Sequence, residues 1–241
     1  MNRTLLVGLV LLGAAFGAGG TWLAERVAPG ELTGADRARV DRAVHDYILA
    51  NPEIIPEAMQ RLADRENGKI IATQRSAIET PYGNAYMGNP NGDVTLVEYY
   101  DYNCGYCRAS LPTLDKLVQA DPKLRIVFRE MPVLAETSLT AARAALTAAS
   151  QNKFKPFHDA LYAAGPVNDQ TIAAAARAAG VDLSKTPPDV DDEIRSNLAL
   201  TAKLGMRGTP SWVVGDKVLS GALPLDRLQE AIAAARGAAK S

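Results

Sequence analysis

The two cysteines of this 241-residue chain lie three positions apart, in Cys104-Gly105-Tyr106-Cys107. The apolar run before them reads as a strand and the pattern after them as a helix, so Cys104 stands where that helix begins. A helix N-terminus offers unpaired N–H groups and a partial positive charge, which favour a thiolate over a thiol. Because the thiolate is the attacking form, this position makes Cys104 the nucleophile. Cys107 falls in the first turn, turned inward, within reach of any mixed disulfide formed at Cys104, which it can open to release the partner. The pattern therefore points to thiol–disulfide exchange with other molecules.

Glu98 sits in the strand six residues before Cys104. A carboxylate in so apolar a run costs free energy unless it is paired or protonated. The expectation is that Glu98 lies beneath the cysteines and exchanges a proton with Cys107. The competing readings of the pair are weaker. As a staple it would close a ring of four residues, for which loop entropy gives only about 2 kcal/mol. As a closed zinc site it lacks ligands, since the chain adds only His45 and His158, in separate helical segments. Capture of zinc or copper by the reduced pair is the metal alternative, and copper suits soft thiolates. His45 reads as solvated and His158, beside Phe154 and Phe157, as a helix-surface or packing residue. A non-catalytic scaffold built on the N-terminal helices is the other alternative.

The elements that must position the pair are legible in outline. Val94 to Tyr100 is β-branched and aromatic, a largely buried strand. Leu111, Leu114, Leu117 and Val118 mark the helix after the cysteines, and Leu124 to Phe128 a second strand. Strand, helix, strand suggests a parallel pair with a crossover helix. From Thr137 to about Met206 the chain is Ala-rich and helical, with breaks at Gly165-Pro166, Gly180 and Pro187-Pro188, giving about three helices. Ser211–Val214 and Lys217–Ser220 flank Gly215-Asp216, a hairpin signal. A last helix opens at Pro224 and ends near Gly237. Upstream, Ala35 to Glu66 reads as two helices broken at Asn51-Pro52, with Asn51 a cap, Pro52 the first helical residue and Pro56 an irregularity. Asn67 to Asn91 reads as a connector.

Leu5 to Ala24 is an uncharged stretch preceded by Arg3, long enough to span a bilayer as a helix. It reads as a cleaved signal peptide or a retained membrane anchor, and either places the remainder beyond a membrane, where thiols are driven toward disulfides. Basic and acidic residues, 26 and 27, nearly cancel, and no basic run follows the leader, so nothing points to nucleic acid.

The run Glu98-Tyr-Tyr-Asp-Tyr-Asn-Cys104-Gly-Tyr-Cys107, with Gly208-Thr209-Pro210 later before a short strand, resembles the thioredoxin superfamily. The helical insertion and Val44-His-Asp-Tyr-Ile-Leu-Ala-Asn-Pro-Glu53 resemble exported DsbA-like proteins of the ScsC and Com1 type, from about Arg37 onward. The resemblance implies an α/β chain with a thioredoxin fold, a helical insertion and an N-terminal helical extension. Residues 1–30 are then a signal peptide or anchor, 31–75 an N-terminal helical segment suited to oligomerisation, and 76–241 the thioredoxin domain, with the insertion at about 135–205. It implies Cys104 as attacking and Cys107 as resolving cysteine, a cis Thr209-Pro210 bond, and Thr209, Pro210, Gly105 and Tyr106 as the surface that receives substrate. Thr209 would offer its backbone to an extended substrate. The implied setting is the periplasm, with cysteine-containing exported proteins as clients, a membrane redox partner, a homo-oligomer through the N-terminal helices, and no cofactor or resident metal. DsbA encloses Pro-His between its cysteines; Gly105-Tyr106 supplies no histidine cation, so a weaker oxidant is expected.

Overall fold

The computed structural model describes residues 33–238; the leader expected over residues 1–30 lies outside them. Among the described residues there are eight α-helices and one five-stranded sheet. The chain divides between Met59 and Gln60 into two compact units.

The N-terminal unit carries α1 (Gly34–Ala50) and the start of α2 (Ile54–Glu79). Thr33 caps α1 by accepting from the Asp36 N–H. Asn51 ends it, donating through its side-chain amide to Tyr47 O at 2.9 Å. Pro52 thus falls in the turn rather than inside the helix, since Ile55 N–H bonds back to Pro52 O. Pro56 lies in the first turn of α2, where a backbone N–H has no intrahelical partner anyway, so it breaks nothing. α1 buries no side chain: Val40, Val44 and Tyr47, spaced on one helical face, are all exposed, as are Ile55 and Met59 on α2.

α2 runs on to Glu79, which corrects the connector expected from Asn67. Ile71 and Ile78, seven residues apart, are fully buried against the sheet and hold the helix there. The true connector starts at Thr80 and contains β1 (Tyr86–Gly88), a short strand the sequence did not announce. There follow β2 (Val94–Tyr100), α3 (Gly105–Ala120), β3 (Leu124–Glu130), the helical stretch, β4 (Ser211–Val214), β5 (Lys217–Ser220) and α8 (Leu225–Ala238). The sheet order is β1-β3-β2-β4-β5, with β2 parallel to β3 and antiparallel to β4. β2 is therefore central and buried at every position, which is why it reads as a mostly apolar run interrupted only by Thr95 and Glu98.

The helical stretch holds four α-helices, not three: α4 (Glu136–Ser150), α5 (Phe154–Ala163), α6 (Asp169–Ala179) and α7 (Val190–Lys203). The unforeseen break is Gln151–Lys153, where Asn152 takes φ 58° without a glycine or proline to announce it. One face of the sheet, with Leu96, Tyr100, Ile126, Phe128 and Trp212, packs on residues of α3, α5 and α8. The other, with Val97, Tyr99, Val127 and Val213, is covered by α2 and α7. Among the described residues no helix is long and apolar enough to cross a membrane.

Candidate functional site

β2 ends at Tyr100, and the chain turns through Asp101, Tyr102 and Asn103 into α3. Asp101 makes this turn. Its carboxylate is buried and accepts from the Asn103 N–H at 2.8 Å, Val133 N–H at 2.9 Å, Leu134 N–H at 3.0 Å and Ser138 hydroxyl at 2.7 Å. Its carbonyl accepts from the Cys104 N–H at 2.9 Å and the Tyr162 hydroxyl at 3.2 Å. One residue thus ties the end of the central strand, the loop after β3 and the start of α4 to the cysteine turn.

Cys104 is the N-cap of α3, with extended backbone and its Sγ accepting from the Cys107 N–H at 3.4 Å. A sulfur in this place meets the unpaired amides of the first helical turn. On its other side the Cys104 thiol lies 3.2 Å from Thr209 O. The Thr209-Pro210 bond is cis, and Pro210 O accepts from the Gly221 N–H at 2.8 Å, which fixes the loop to the end of β5. Cys104 is 6% exposed and Cys107 1%, while Gly105 is exposed and Tyr106 is 71% exposed. The pair is therefore asymmetric: the first sulfur lies at the mouth and the second beneath it.

Glu98 falls on the face of β2 shared with Leu96 and Tyr100, the face whose core includes both cysteines. It is 2% exposed and its Oε1 has no hydrogen-bond partner. Burial holds its carboxyl well above the ordinary carboxylate range, with the nearby Cys104 adding to the shift. Burial likewise pushes the Cys107 thiol far up, Glu98 pushes it further, and a hydrogen bond at the Asp101 backbone opposes them. Glu98 thus opposes charge on Cys107, and Cys104 opposes charge on Glu98.

A ring of buried polar side chains surrounds this core. The Tyr100 hydroxyl donates to Glu130, and the Tyr102 hydroxyl meets His158 Nδ1 at 3.0 Å. His158 packs against Phe128, Phe154 and Tyr162, and burial drops it to about 3, so it is a neutral core residue and not a surface one. His45 is exposed beside Asp46. Among the described residues no group of three or more His, Cys, Asp or Glu side chains could hold a metal ion.

Glu98, Cys104, Cys107 and Pro210 are buried, Thr209 is half-buried with its carbonyl 3.2 Å from Cys104 Sγ, and Gly105 and Tyr106 are exposed beside them. Sequence reasoning missed Asp101, Arg129 and Glu130. An Asp two residues before an Asn in a strand-to-helix turn is an Asx-turn signal that could have found the first. The other two lie beyond the strand end expected at Phe128, and β3 in fact continues to Glu130.

Comparison with known proteins agrees with this geometry. Residues 95–233 match the DSBA-like thioredoxin domain, and residues 36–67 match the copper resistance protein ScsC N-terminal domain. A thioredoxin-like oxidoreductase from Silicibacter pomeroyi is 42% identical, covering 68% of this chain and 98% of that one, with a TM-score of 0.63. A linker-deleted, singly substituted ScsC from Proteus mirabilis is 27% identical, covering 89% of this chain and 100% of that one, with a TM-score of 0.71. Among curated proteins, a Na(+)/H(+) antiporter NhaA of Herminiimonas arsenicoxydans is 28% identical over 56% of this chain, but the chain spans only 22% of its length. Sheet order, cysteine turn and family match agree: the chain belongs to the DSBA-like thioredoxin domain family of thiol-disulfide oxidoreductases, with an ScsC-type N-terminal region ahead of that domain.

Proposed function

We propose that this protein is an exported oxidoreductase that forms or rearranges disulfides in other proteins through Cys104 and Cys107. The observation that carries the reading is the Cys104 sulfur, capped onto the first turn of α3 and bordered by Thr209 O at 3.2 Å. In the oxidising direction a client thiolate attacks Cys104 of the Cys104–Cys107 disulfide, forming a client–Cys104 bond and releasing Cys107 as thiolate. A second client thiolate attacks the client sulfur, closes the client disulfide and leaves Cys104 as thiolate. The helix start stabilises that anion. The thiolate released at Cys107 is buried, and Glu98 gives it a proton and takes one back when the disulfide re-forms. Thr209 and Pro210 would line the extended client segment, and Gly105 and Tyr106 would meet it at the surface.

Export follows from the uncharged leader, and the family's setting makes the periplasm the compartment, with a membrane partner to reset the cysteines. Residues 31–75 are assigned to homo-oligomerisation, supported by the exposed Val40, Val44 and Tyr47 of α1. Several active sites held in one assembly would favour rearrangement of wrong disulfides over simple oxidation. Oxidation of a dithiol peptide by the wild type and by Cys104→Ser tests the core of the reading: equal rates would refute it. A second reading, copper(I) capture by the reduced pair, is supported by the copper-resistance match of residues 36–67. Stoichiometric copper(I) binding lost in Cys104→Ser would establish it.

A further inference from the structure

β5 is the outer strand of the sheet, and its free edge opens into a groove of about 920 Å³ bounded by the Gln60–Asn67 part of α2, the end of α7 and α8. The floor is apolar, formed by Val218, Leu219 and Leu223. The rim is cationic. Lys203, Arg207 and Lys217 are exposed and form no ion pair among the described residues. Of the acidic groups present, Glu230 pairs with Arg227 at 2.9 Å, while Asp64 accepts from the neutral Gln60 amide at 2.7 Å and keeps its charge, so three cations face one anion. Lysine on an edge strand also discourages strand-to-strand aggregation, and Lys203 suits the C-terminal end of α7. Those roles account for Lys217 and Lys203 singly; they do not account for Arg207, which lies beyond the helix and off the strand.

The groove adjoins the cysteine turn. Arg207 is two residues from Thr209, whose carbonyl is 3.2 Å from Cys104 Sγ. Two extended residues span at most about 7 Å, and with the Thr209 carbonyl added the Arg207 backbone lies within about 13 Å of the reactive sulfur, some four residues along an extended chain. Ser220 at the groove's other wall precedes Gly221, whose N–H is bonded to Pro210 O.

We infer that this groove is a client subsite, which receives an acidic, partly apolar segment of the client polypeptide lying about three to six residues from its reacting cysteine. The inference rests on the redox reading above and names the class of client it favours. Acidic side chains meet the free cations, apolar ones the floor, and the open β5 edge offers backbone hydrogen bonds to an extended chain. Each exposed charge pair is worth little, so three together amount to about a tenfold preference rather than an absolute requirement.

The test uses three dithiol peptides that differ only in their flanks, Asp/Glu, Ser or Lys, oxidised by the full-length protein in its Cys104–Cys107 disulfide form, with glutathione disulfide to re-oxidise the pair after each turnover. The wild type is expected to oxidise the acidic peptide about tenfold faster in kcat/KM than the Lys peptide, with the preference shrinking at high salt. Lys203→Gln/Arg207→Gln/Lys217→Gln should abolish the preference and leave the rate on the Ser peptide within about twofold, because these are surface substitutions. Equal rates on the three peptides in the wild type, or a preference that survives in the triple variant, would overturn the groove while leaving the oxidoreductase intact. Failure to oxidise even the Ser peptide would instead overturn the redox reading. A change of sedimentation between wild type and triple variant would assign the groove to a second copy of the chain and overturn the client assignment.

Discussion

Replacing Asp101 by alanine probes the turn on which the site depends. The buried carboxylate accepts from three backbone N–H groups and one hydroxyl. Each buried donor left without an acceptor costs about 1–3 kcal/mol. The Ser138 hydroxyl can rotate to a new partner, and the Val133 and Leu134 side chains are exposed, so water reaches part of the loop and trims the cost. The Asn103 N–H, just before Cys104, belongs to a half-buried residue and has less relief. A loss of about 3 kcal/mol is the expected sum, with Asp101→Asn nearer 1–2 because the amide oxygen keeps some of the bonds. Urea unfolding measures it. Hydrogen exchange adds the local signature: the amides of Asn103, Val133 and Leu134 should exchange faster while those of central β2 keep their protection. A stability change below about 1 kcal/mol, or faster exchange spread evenly over the sheet, would refute the clamp.

Arg129 is buried in β3, donating to Ile78 O at 3.1 Å, Ala77 O at 2.5 Å and Thr80 O and pairing with Glu193, so Arg129→Met should cost about 3–5 kcal/mol in a denaturant titration. Glu98→Gln should have the opposite sign at neutral pH. The folded carboxyl titrates above its unfolded value of 4.5, so its contribution is intact below pH 4.5 and lost as pH rises through the folded value. The variant should therefore match the wild type at about pH 4 and gain on it as pH rises toward the folded value, by about 1.4 kcal/mol for each pH step of one. In the same variant Cys107 should titrate at lower pH, because one of the groups opposing its thiolate is gone. Equilibration with glutathione buffers should give a reduction potential more negative than DsbA's, about −120 mV, since no histidine sits between the cysteines.

Where the sequence was informative, it was because one physical signal dominated. The mostly apolar run Val94–Tyr100, broken only by Thr95 and Glu98, reads as a central strand because both its faces are covered, and Gly215-Asp216 marks the hairpin because its turn needs a positive φ, 56° at Gly215. The cysteine pair is legible because no other cysteine competes with it. What was missed lacked a local signal. α2 extends to Glu79 because Ile71 and Ile78 dock on a sheet built mostly from later residues, a tertiary effect that mixed polarity in Asn67–Glu79 concealed. The α4–α5 break rests on Asn152 alone, and β1 is three residues long, held by pairing with β3. Arg129 looked like an ordinary polar residue because its partners lie 49 to 68 positions away, and Asp101 because all but the Asn103 N–H among its carboxylate's partners lie 32 to 37 positions away. Glu98 was singled out by one charge in an apolar strand, and it is buried on the face of β2 that carries Leu96 and Tyr100.

Exchange by this pair requires a division of labour between two sulfurs, one at the mouth of the site and one beneath it. Trapping of mixed disulfides with a denatured client that carries scrambled disulfides tests it directly, using Cys107→Ser and Cys104→Ser side by side, since a thiolate that attacks a client disulfide forms the mixed disulfide and releases a client thiolate. Cys107→Ser should accumulate client-linked protein through Cys104, and Cys104→Ser should accumulate almost none, because its remaining sulfur is buried and its thiol is held protonated. Equal trapping by the two variants, or trapping mainly through Cys107, would contradict the assignment.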